Sequence, residues 1–298
     1  MVRFLKLKGL FLAGVLVTAA GCGTSAAPSA SSSGAASYHH GTIIDAIRAK
    51  GVLTIGVDDD PPWSFAASTA TTGQGAVPDM LTEFAKREGI AKVDLVPLPF
   101  SSFVGALQSN RIDVVGDTMT PTAARSLVIS FPNNMVYNPG GLIVRPGNPL
   151  NLHQHINFNN NVKVAAQEGT LYVMQLQADV AKGQKIQIIT FPGDNDVINA
   201  VTSGQADAGL MDATAAEFAK KQNSSLQFEV VTDFMDPRGR SVSDAGFAHT
   251  PNDLLDAWNT DFSAMSVDGT VDKILKTYGL TPSIYVANPA DPQYTQNP

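Results

Sequence analysis

The sequence predicts an α/β protein built as two similar lobes, each with a largely parallel sheet flanked by helices. From Thr42 onward, short apolar segments of strand length alternate with amphipathic segments, a pattern typical of α/β domains. The segments ALQSNRIDVV (106–115) and AVTSGQADAG (200–209) share a helix end, a turn and an Asp-led strand. A chain of 298 residues is also long enough for two lobes.

Residues 1–21 are predicted to form an export signal. A basic start precedes a mostly apolar stretch, 9–20, that is short for a membrane span. Small residues then lead to Cys22, the only cysteine, within LVTAAGC. This segment resembles a bacterial lipoprotein box, which implies a lipid on Cys22 that anchors the exported protein to the outer face of the cytoplasmic membrane. The alternative is an ordinary secretory signal cut nearby, which leaves Cys22 as an idle thiol.

Residues 22–41 are predicted to be a flexible tether. They are rich in Ser, Ala, Gly and Pro, and such a segment cannot bury enough apolar surface to offset the entropy lost on ordering. His39 and His40 lie at its end, and a neighbouring pair on a linker is usually solvated rather than bound to a metal.

The composition is that of an ordinary globular protein, with 44% hydrophobic and 16% charged residues and a formal net charge of -7. The sequence contains no run rich in Lys and Arg, so nucleic-acid binding through a basic surface is not expected. It also contains no metal-ligand spacing, Ser–His–Asp motif or phosphate-binding glycine loop. No metal or other cofactor is therefore predicted.

The first predicted strand ends in an acidic loop. A helical face over 43–50 stops at Gly51, and the apolar run Val52–Val57 predicts a strand. The segment DDDPPWSF follows, in which two prolines forbid the strand from continuing. Asp58 and its neighbours, together with the ring of Trp63, predict a site for a cation or ammonium group. The alternative is an acidic turn with Trp63 packed in the core.

The loops of the first lobe are expected to meet at one edge of its sheet. A helix over 77–88, a strand over 93–96 and the segment PLPF lead to Phe100, and a short helix over 103–108 follows. In open parallel sheets, ligands bind beyond the carboxyl ends of the strands. The loops after successive strands all lie at such ends, so their side chains are predicted to line one cleft.

The segment IDVVGDTMTPTAARSLVISF carries the most informative pattern. Its apolar run, 112–115, predicts a buried strand that breaks at Gly116 into a hydroxyl-rich turn with Thr118 and Thr120. Arg125 follows in a short helical turn. Threonine hydroxyls, backbone N–H groups and a guanidinium fork are suited to bind a carboxylate. The alternative is that Arg125 is a solvated surface residue.

The second half repeats the alternation of strands and helices. Strands or extended pieces are predicted over 141–145, 186–190, 206–210, 230–231 and 246–248, and helices over 194–203, 212–221, 253–265 and 271–278; the segment VKVAAQEGT, 162–170, is predicted to be a strand that leads into a helix. A further helix starts at Gly169 and Thr170, where free N–H groups attract an anion. Arg238 and Arg240, in MDPRGRSVSD, are candidates for contact with a ligand or a partner protein, and solvated loop arginines are the alternative.

Together these pieces resemble the extracellular solute-binding proteins of the polar amino-acid type, partners of ATP-driven importers. The resemblance rests on an ordered set of segments: LTIGVDDDPPWSF, the stretch from VPLPF to VISF, KVAAQEGT, AVTSGQADAGLMD, and the C-terminal LLDAWN and DGTVDKILKTYG. It implies a type II periplasmic-binding-protein fold with two crossover strands as a hinge. The first lobe would comprise 42–138 and 249–298, and the second 139–248.

The resemblance also implies which residues bind a ligand carboxylate. Arg125 would clamp the α-carboxylate of an amino acid, with Thr120 and the backbone of Thr118 adding hydrogen bonds. Gly169 and Thr170 would meet the same carboxylate from the second lobe.

The remaining implied contacts concern the ammonium group and the side chain of the ligand. Asp212 would pair with the α-ammonium, although an aspartate after a strand is also common as a helix N-cap. Asp58 matches the family's first-strand aspartate, and Trp63 and Phe100 match its hydrophobic wall. Family members usually carry an aromatic residue just before the Pro-Pro pair, where this chain has Asp60. That departure points to a polar or cationic ligand side chain.

The implied function is transport rather than catalysis. The expected protein is a monomer that captures an amino acid with a polar or charged side chain by hinge closure and delivers it to the permease subunits of an ABC transporter. The alternative is a cyclohexadienyl (prephenate or arogenate) dehydratase-like enzyme on the same scaffold, which requires a general acid in the cleft. Glu168, near the predicted anion site, is the candidate for that role.

Overall fold

A computed structural model of the chain describes residues 43–65, 74–237, 242–249 and 252–287, all within one compact unit from His39 to Pro298. Several sequence predictions lie outside the described residues: the export signal, the tether, Cys22, His39, His40, Arg238 and Arg240. Within the described ranges, none of the helices combines the length and the apolar character needed to cross a bilayer.

Strands and helices alternate along most of the described chain. The strands are β1 Val52–Val57, β2 Lys92–Pro97, β3 Val114–Met119, β4 Ile129–Ser130, β5 Val136–Tyr137, β6 Gly140–Val144, β7 Val162–Gln167, β8 Ile186–Phe191, β9 Ala208–Asp212, β10 Glu229–Val230 and β11 Val242–Ala248. The helices are α1 Ile43–Lys50, α2 Ala76–Arg87, α3 Phe103–Gln108, α4 Ala123–Ser126, α5 Leu171–Ala181, α6 Asp194–Thr202, α7 Ala213–Gln222, α8 Asp253–Val267, α9 Thr270–Thr277 and α10 Pro282–Tyr285.

These strands form two separate sheets, which confirms the predicted two-lobed α/β architecture. The first sheet has the order β2-β1-β3-β11-β4, with β5 also paired to β11, and the second has the order β10-β6-β9-β7-β8. Each sheet is mixed. Three neighbouring strands are parallel, β2-β1-β3 in the first and β9-β7-β8 in the second, and the others are antiparallel to their neighbours. The carboxyl ends of the parallel strands face the region between the two lobes.

The boundary of the second lobe differs from the sequence prediction of 139–248. Strand β11, Val242–Ala248, pairs with β3 and β4 of the first sheet, so the chain has already returned to the first lobe by Val242. The physical reason is that β11 completes the first sheet: Phe247 lies opposite Val114 and is fully buried there. A short polar run in the sequence could not distinguish this strand from part of the second lobe.

Strand β3 also extends further than predicted. The sequence suggested a break at Gly116, but the strand continues to Met119, and all six of its residues are buried. A Cβ at Gly116 would lie 2.3 Å from Cγ2 of Ile55 on the neighbouring strand. The glycine therefore permits close packing inside the sheet and does not end the strand.

The C-terminal helices pack on the first lobe. Trp258 of α8 is fully buried, and its ring lies 5.4 Å from that of Phe84 on α2 and 6.2 Å from that of Phe247 on β11. The second sheet is covered on both faces, since Leu142 and Ile143, neighbours on β6, belong to different apolar clusters. Each lobe therefore has its own core.

Candidate functional site

A cleft lies between the two lobes, and its empty space, counted together with the adjoining open solvent, is about 400 Å³. Its lining residues come from both lobes: Asp60, Phe100, Thr118, Thr120, Arg125, Gln167, Thr170, Leu171, Tyr172, Asp194, Asp212 and Ser243. Among the described residues, the lining combines one arginine, three carboxylates, two aromatic rings and several hydrogen-bonding groups. It therefore suits a small, polar, charged ligand.

Arg125 is held rigidly at this cleft and is not a solvated surface residue. It lies in α4, whose N-cap Thr122 accepts a hydrogen bond from its backbone N–H, and the residue is only 9% exposed. Its guanidinium donates to the carbonyl of Thr120 at 2.6 Å and to the carbonyl of Gly169 in the second lobe at 2.8 Å. The ring of Phe100 lies 5.4 Å from the guanidinium carbon, within cation–π range.

Asp212 occupies the start of α7, but its carboxylate does not cap that helix. It accepts hydrogen bonds from the hydroxyl of Tyr172 and from the side-chain amide of Asn138. Asn138 lies between β5 and β6, where the chain crosses from one lobe to the other. The carboxylate is thus oriented by the hinge and the second lobe together.

Two further carboxylates line the cleft from opposite lobes. Asp60 lies in the turn that follows β1 and is 5% exposed, and Asp194 is the first residue of α6 and is 7% exposed. Desolvation raises the pKa of Asp60 well above its usual range, and repulsion from the neighbouring carboxylates, Asp212 foremost, adds to this. The pKa of Asp194 is raised for the same two reasons.

The predicted site residues divide into two groups. Six of the nine line the cleft: Phe100, Thr118, Thr120, Arg125, Thr170 and Asp212. The other three, Asp58, Trp63 and Gly169, do not. Gly169 contributes its carbonyl to Arg125, and Asp58 accepts a hydrogen bond from the side-chain amide of the lining residue Gln167 at 2.5 Å. Asp58 and Gly169 therefore support the cleft from behind.

Trp63 is fully buried and lies in the core of the first lobe. Its ring packs edge-on against Tyr285, and its indole nitrogen donates to the hydroxyl of Thr214 in the second lobe at 2.8 Å. Trp63 is therefore a core residue, which is the alternative that the sequence left open. It also makes one polar contact between the lobes.

The two threonines use their polar groups differently from the sequence prediction. The backbone N–H of Thr118 donates to the Asp117 side chain at 2.7 Å, and its hydroxyl accepts from Asn138 at 2.8 Å. The hydroxyl of Thr120 lies 3.4 Å from that of Ser243 on β11. Both polar groups of Thr118 therefore have partners within the protein.

Sequence reasoning missed several lining residues: Gln167, Leu171, Tyr172, Asp194 and Ser243. Asp194 follows β8 directly, so the rule that ligands lie beyond strand ends could have found it. Gln167 ends β7 and was equally accessible to that rule. Ser243 could not be found in this way, because β11 enters the first sheet from far along the sequence.

The residue that the sequence suggested as a general acid lies outside the cleft. Glu168, the candidate general acid, is exposed and does not line it. Among the described residues, no group of three or more His, Cys, Asp or Glu side chains is arranged to hold a metal ion.

Comparison with known families decides the identity of this two-lobed protein. The sequence profile of the bacterial extracellular solute-binding proteins, family 3, matches residues 53–281. The chain belongs to this family. The match begins in β1 and ends just before α10, so it includes both sheets and every described cleft residue.

Relatives of this solute-binding protein carry consistent names. A probable amino-acid ABC transporter periplasmic-binding protein of Sinorhizobium fredii is 28% identical over 256 residues, covering 83% of each chain. A putative amino-acid ABC transporter-binding protein, PatH, of Vibrio harveyi is 32% identical over 217 residues, covering 69% of this chain and 80% of its own. As a member of this family, the solute-binding protein acts outside the cytoplasm.

One solved structure bears on the enzyme alternative. It is an ancestral amino acid-binding protein described as a precursor of cyclohexadienyl dehydratase, 28% identical, with a TM-score of 0.67 and coverage of 80% of this chain and 99% of its own. The ancestor itself is named as a binding protein, and Glu168 of this solute-binding protein is exposed outside the cleft. Neither observation favours an enzyme.

Proposed function

We propose that this protein is the extracytoplasmic substrate-binding component of an ABC transporter, which captures one amino acid by closing two lobes around it. Membership of the solute-binding family and the amino-acid names of its relatives support this function. The protein does not transform its ligand; it delivers the ligand to the permease subunits in the membrane.

The observation that carries the proposal is the presence of both signs of charge in one cleft. Arg125 and Asp212 both line it, one from the first lobe and one from the start of α7 in the second. A free amino acid carries a carboxylate and an ammonium group on the same carbon. A guanidinium grips both oxygens of the first, and an oriented carboxylate accepts from the second.

The carboxylate of the ligand is bound by groups of both lobes in this proposal. Arg125 supplies the fork, and Thr118 and Thr120 line the same space at and just after the end of β3. Thr170 lies at the start of α5, where unpaired backbone N–H groups and the helix dipole favour an anion. The ring of Phe100 shields the guanidinium from water.

Contacts between the lobes explain how binding and closure are coupled. Arg125 donates to Gly169, Gln167 to Asp58, and Asn195 to Asp59, each pair joining one lobe to the other. A ligand that contacts both lobes adds to these bonds only in the closed form, so it stabilises that form. The permease can then distinguish ligand-bound from ligand-free protein, because the two lobes are closed in the first and open more readily in the second.

Attachment to the membrane through a lipid on Cys22 and a monomeric state complete the proposal. Both rest on the sequence, since Cys22 lies outside the described residues. Metabolic labelling with a radioactive fatty acid tests the anchor: wild-type protein incorporates label, and a Cys22→Ser variant does not.

The binding function is tested by calorimetry of the purified protein against the common amino acids. We expect at least one to bind with a Kd of about 1 μM, which corresponds to about -8 kcal/mol. The Arg125→Ala variant should bind it about 30-fold or more weakly, since loss of one partner of a buried charge pair costs about 2–5 kcal/mol.

A matched control is Arg111→Ala, because Arg111 is exposed and does not line the cleft. This variant should bind like the wild type, and circular dichroism should show both variants folded. Absence of binding to every amino acid contradicts the proposed function. Wild-type affinity in a folded Arg125→Ala variant contradicts the role of that arginine alone.

A further inference from the structure

We propose that the ligand is a basic amino acid, with a second cationic group at the end of its side chain, and that Asp60 and Asp194 select that group. The inference rests on the proposed function and narrows it to one class of ligand. A ligand with only an α-carboxylate and an α-ammonium group uses Arg125 and Asp212. The inference concerns the two further carboxylates of the cleft, Asp60 and Asp194.

The charges that line the cleft do not balance for a neutral amino acid. Among the described residues that line the cleft, Arg125 is basic, whereas Asp60, Asp194 and Asp212 are acidic. The α-carboxylate of a zwitterion uses Arg125, and its α-ammonium uses Asp212. Two carboxylates then remain without an opposite charge, and carboxylates are rarely buried unless they are paired.

Asp60 supplies an independent sign that a donor is bound here. Its carboxylate is almost completely buried, it lines the cleft, and its Oδ1 accepts no hydrogen bond from any described residue. The backbone carbonyl of Asp60 accepts from the N–H groups of Trp63 and Ser64 at 2.9 Å, so a tight turn fixes the residue. A buried acceptor held in this way requires a donor, and an ammonium or guanidinium group provides a charged one.

Asp194 lies across the cleft from the turn that carries Asp60. It is the first residue of α6 in the second lobe, so its charge is favoured by the helix dipole, and it is held on a regular element. Because Asp60 belongs to the first lobe and Asp194 to the second, one cationic group can meet both only when the lobes close. The ligand side chain thereby contributes to closure as well as to affinity.

Other occupants fit these two residues less well. A metal ion is disfavoured, because the described residues include no arrangement of three or more candidate ligands. A neutral polar side chain would leave both carboxylates without a counter-charge. Burial and repulsion from neighbouring carboxylates, Asp212 foremost, raise the pKa of each, and a bound cation stabilises the charged form of both.

The test compares two ligands of nearly the same shape and different charge. Arginine carries a cationic guanidinium group where citrulline carries a neutral urea group. Lysine and norleucine are a second such pair, since norleucine lacks the side-chain ammonium group. Calorimetry of the wild-type protein should show arginine or lysine binding about 30-fold or more tightly than its neutral partner, the effect expected for a buried charge pair. Equal affinities within both pairs overturn the inference.

Variants assign the preference to the two residues. In Asp60→Asn and in Asp194→Asn, the preference for the cationic member should fall about tenfold or more, with little change for citrulline or norleucine. Asp196→Asn is the matched control, because Asp196 lies in the same first turn of α6 but is exposed and does not line the cleft. A full preference retained in both folded variants overturns the assignment.

The outcomes separate this inference from the proposed function. If the protein binds neutral amino acids as tightly as basic ones, the proposed function stands and the inference fails. If it binds no amino acid, both fail. Addition of Ca²⁺ or Mg²⁺ alone provides a further arm, in which a calorimetric signal that disappears in Asp60→Asn contradicts an organic cation as the partner of that residue.

Discussion

At the scale of single residues, the positive charge of Arg125 is stabilised by its contacts, whereas several aspartates in and near the cleft have raised pKa values. The guanidinium of Arg125 donates to two carbonyls and lies against the ring of Phe100. Asp117 is fully buried, and the pKa of its carboxyl is raised by burial and by repulsion from Asp58. The carboxylates thus favour binding of a cation at a cost to the stability of the protein without ligand.

The pH dependence of stability should reveal this cost at Asp58. Burial is the main reason why the pKa of Asp58 is about 6 in the folded protein. A raised folded-state pKa stabilises the fold fully below the unfolded value of about 4, and this contribution is lost as the pH rises through about 6. Raising the pKa from 3.8 to about 6 corresponds to about 3 kcal/mol.

Urea unfolding of ligand-free protein at pH 4 and pH 7 measures the effect. Between these pH values, the free energy of unfolding of the wild type should fall, relative to that of Asp58→Asn, by up to about 3 kcal/mol. Asparagine keeps an oxygen that accepts from Gln167, so the variant removes the charge and preserves the hydrogen bond. Parallel pH profiles for the two proteins would show that Asp58 is ionised without penalty.

At the scale of elements, the turn between β7 and α5 decides how closely the lobes approach. Gly169 has a φ of +81°, and a Cβ there would lie 2.7 Å from the Cα of Ser101 in the first lobe. Only glycine satisfies both conditions at once. The turn brings the Gly169 carbonyl within reach of Arg125, so the same glycine serves closure and the orientation of the arginine.

Gly169→Ala should therefore weaken ligand binding without unfolding either lobe. The left-handed backbone costs alanine about 1–2 kcal/mol in any state, but the clash with Ser101 arises only when the lobes are closed. We expect the Kd to rise about tenfold or more. Calorimetry with the amino acid found to bind provides the measurement.

Gly183→Ala is the control for this variant, since Gly183 has a φ of +102° and a Cβ there would meet nothing within 4 Å. It carries the backbone penalty without the contact between lobes. The two variants should lose similar thermal stability, and only Gly169→Ala should lose affinity. Equal affinities would show that the approach to Ser101 is unimportant for binding.

The sequence predicted the individual strands and helices better than the way in which they pack together. Alternating apolar segments located most of the strands, because a buried strand needs a local run of apolar residues. The predicted length of β3 was wrong because Gly116 and Asp117 are residue types that are common in turns. Only the packing of neighbouring strands shows that they lie inside the sheet. For the site, a local pattern indicated Arg125 and the family resemblance indicated Asp212, whereas Ser243 and Tyr172 reach the cleft through long-range packing that no local pattern encodes.

At the scale of the whole molecule, a polar chain of contacts joins the lobes on the hinge side. Trp63 donates to Thr214, whose hydroxyl donates to the side-chain oxygen of Asn138 at 2.9 Å. Asn138 in turn donates to Thr118 and Asp212. The hinge, the core of the first lobe and the ammonium-binding carboxylate are therefore parts of one hydrogen-bonded network.

Tryptophan fluorescence should report lobe closure through Trp63. The chain has two tryptophans; Trp63 contacts the second lobe, whereas Trp258 is buried between α2 and β11 of the first. Ligand should therefore change the emission of the wild type and of Trp258→Phe, and leave Trp63→Phe nearly unchanged. A full ligand-dependent change in Trp63→Phe would show that the contact with Thr214 is the same in both states.

The order of the strands has a consequence for how the molecule is assembled. The second sheet is complete once residue 230 has been made, whereas the first still lacks β11, which supplies Phe247 to its core. The half that the ribosome begins first is thus the half that finishes last. Because the protein acts outside the cytoplasm, it folds after export, and α2 and β3 remain partly uncovered until β11 and α8 have packed on the first lobe.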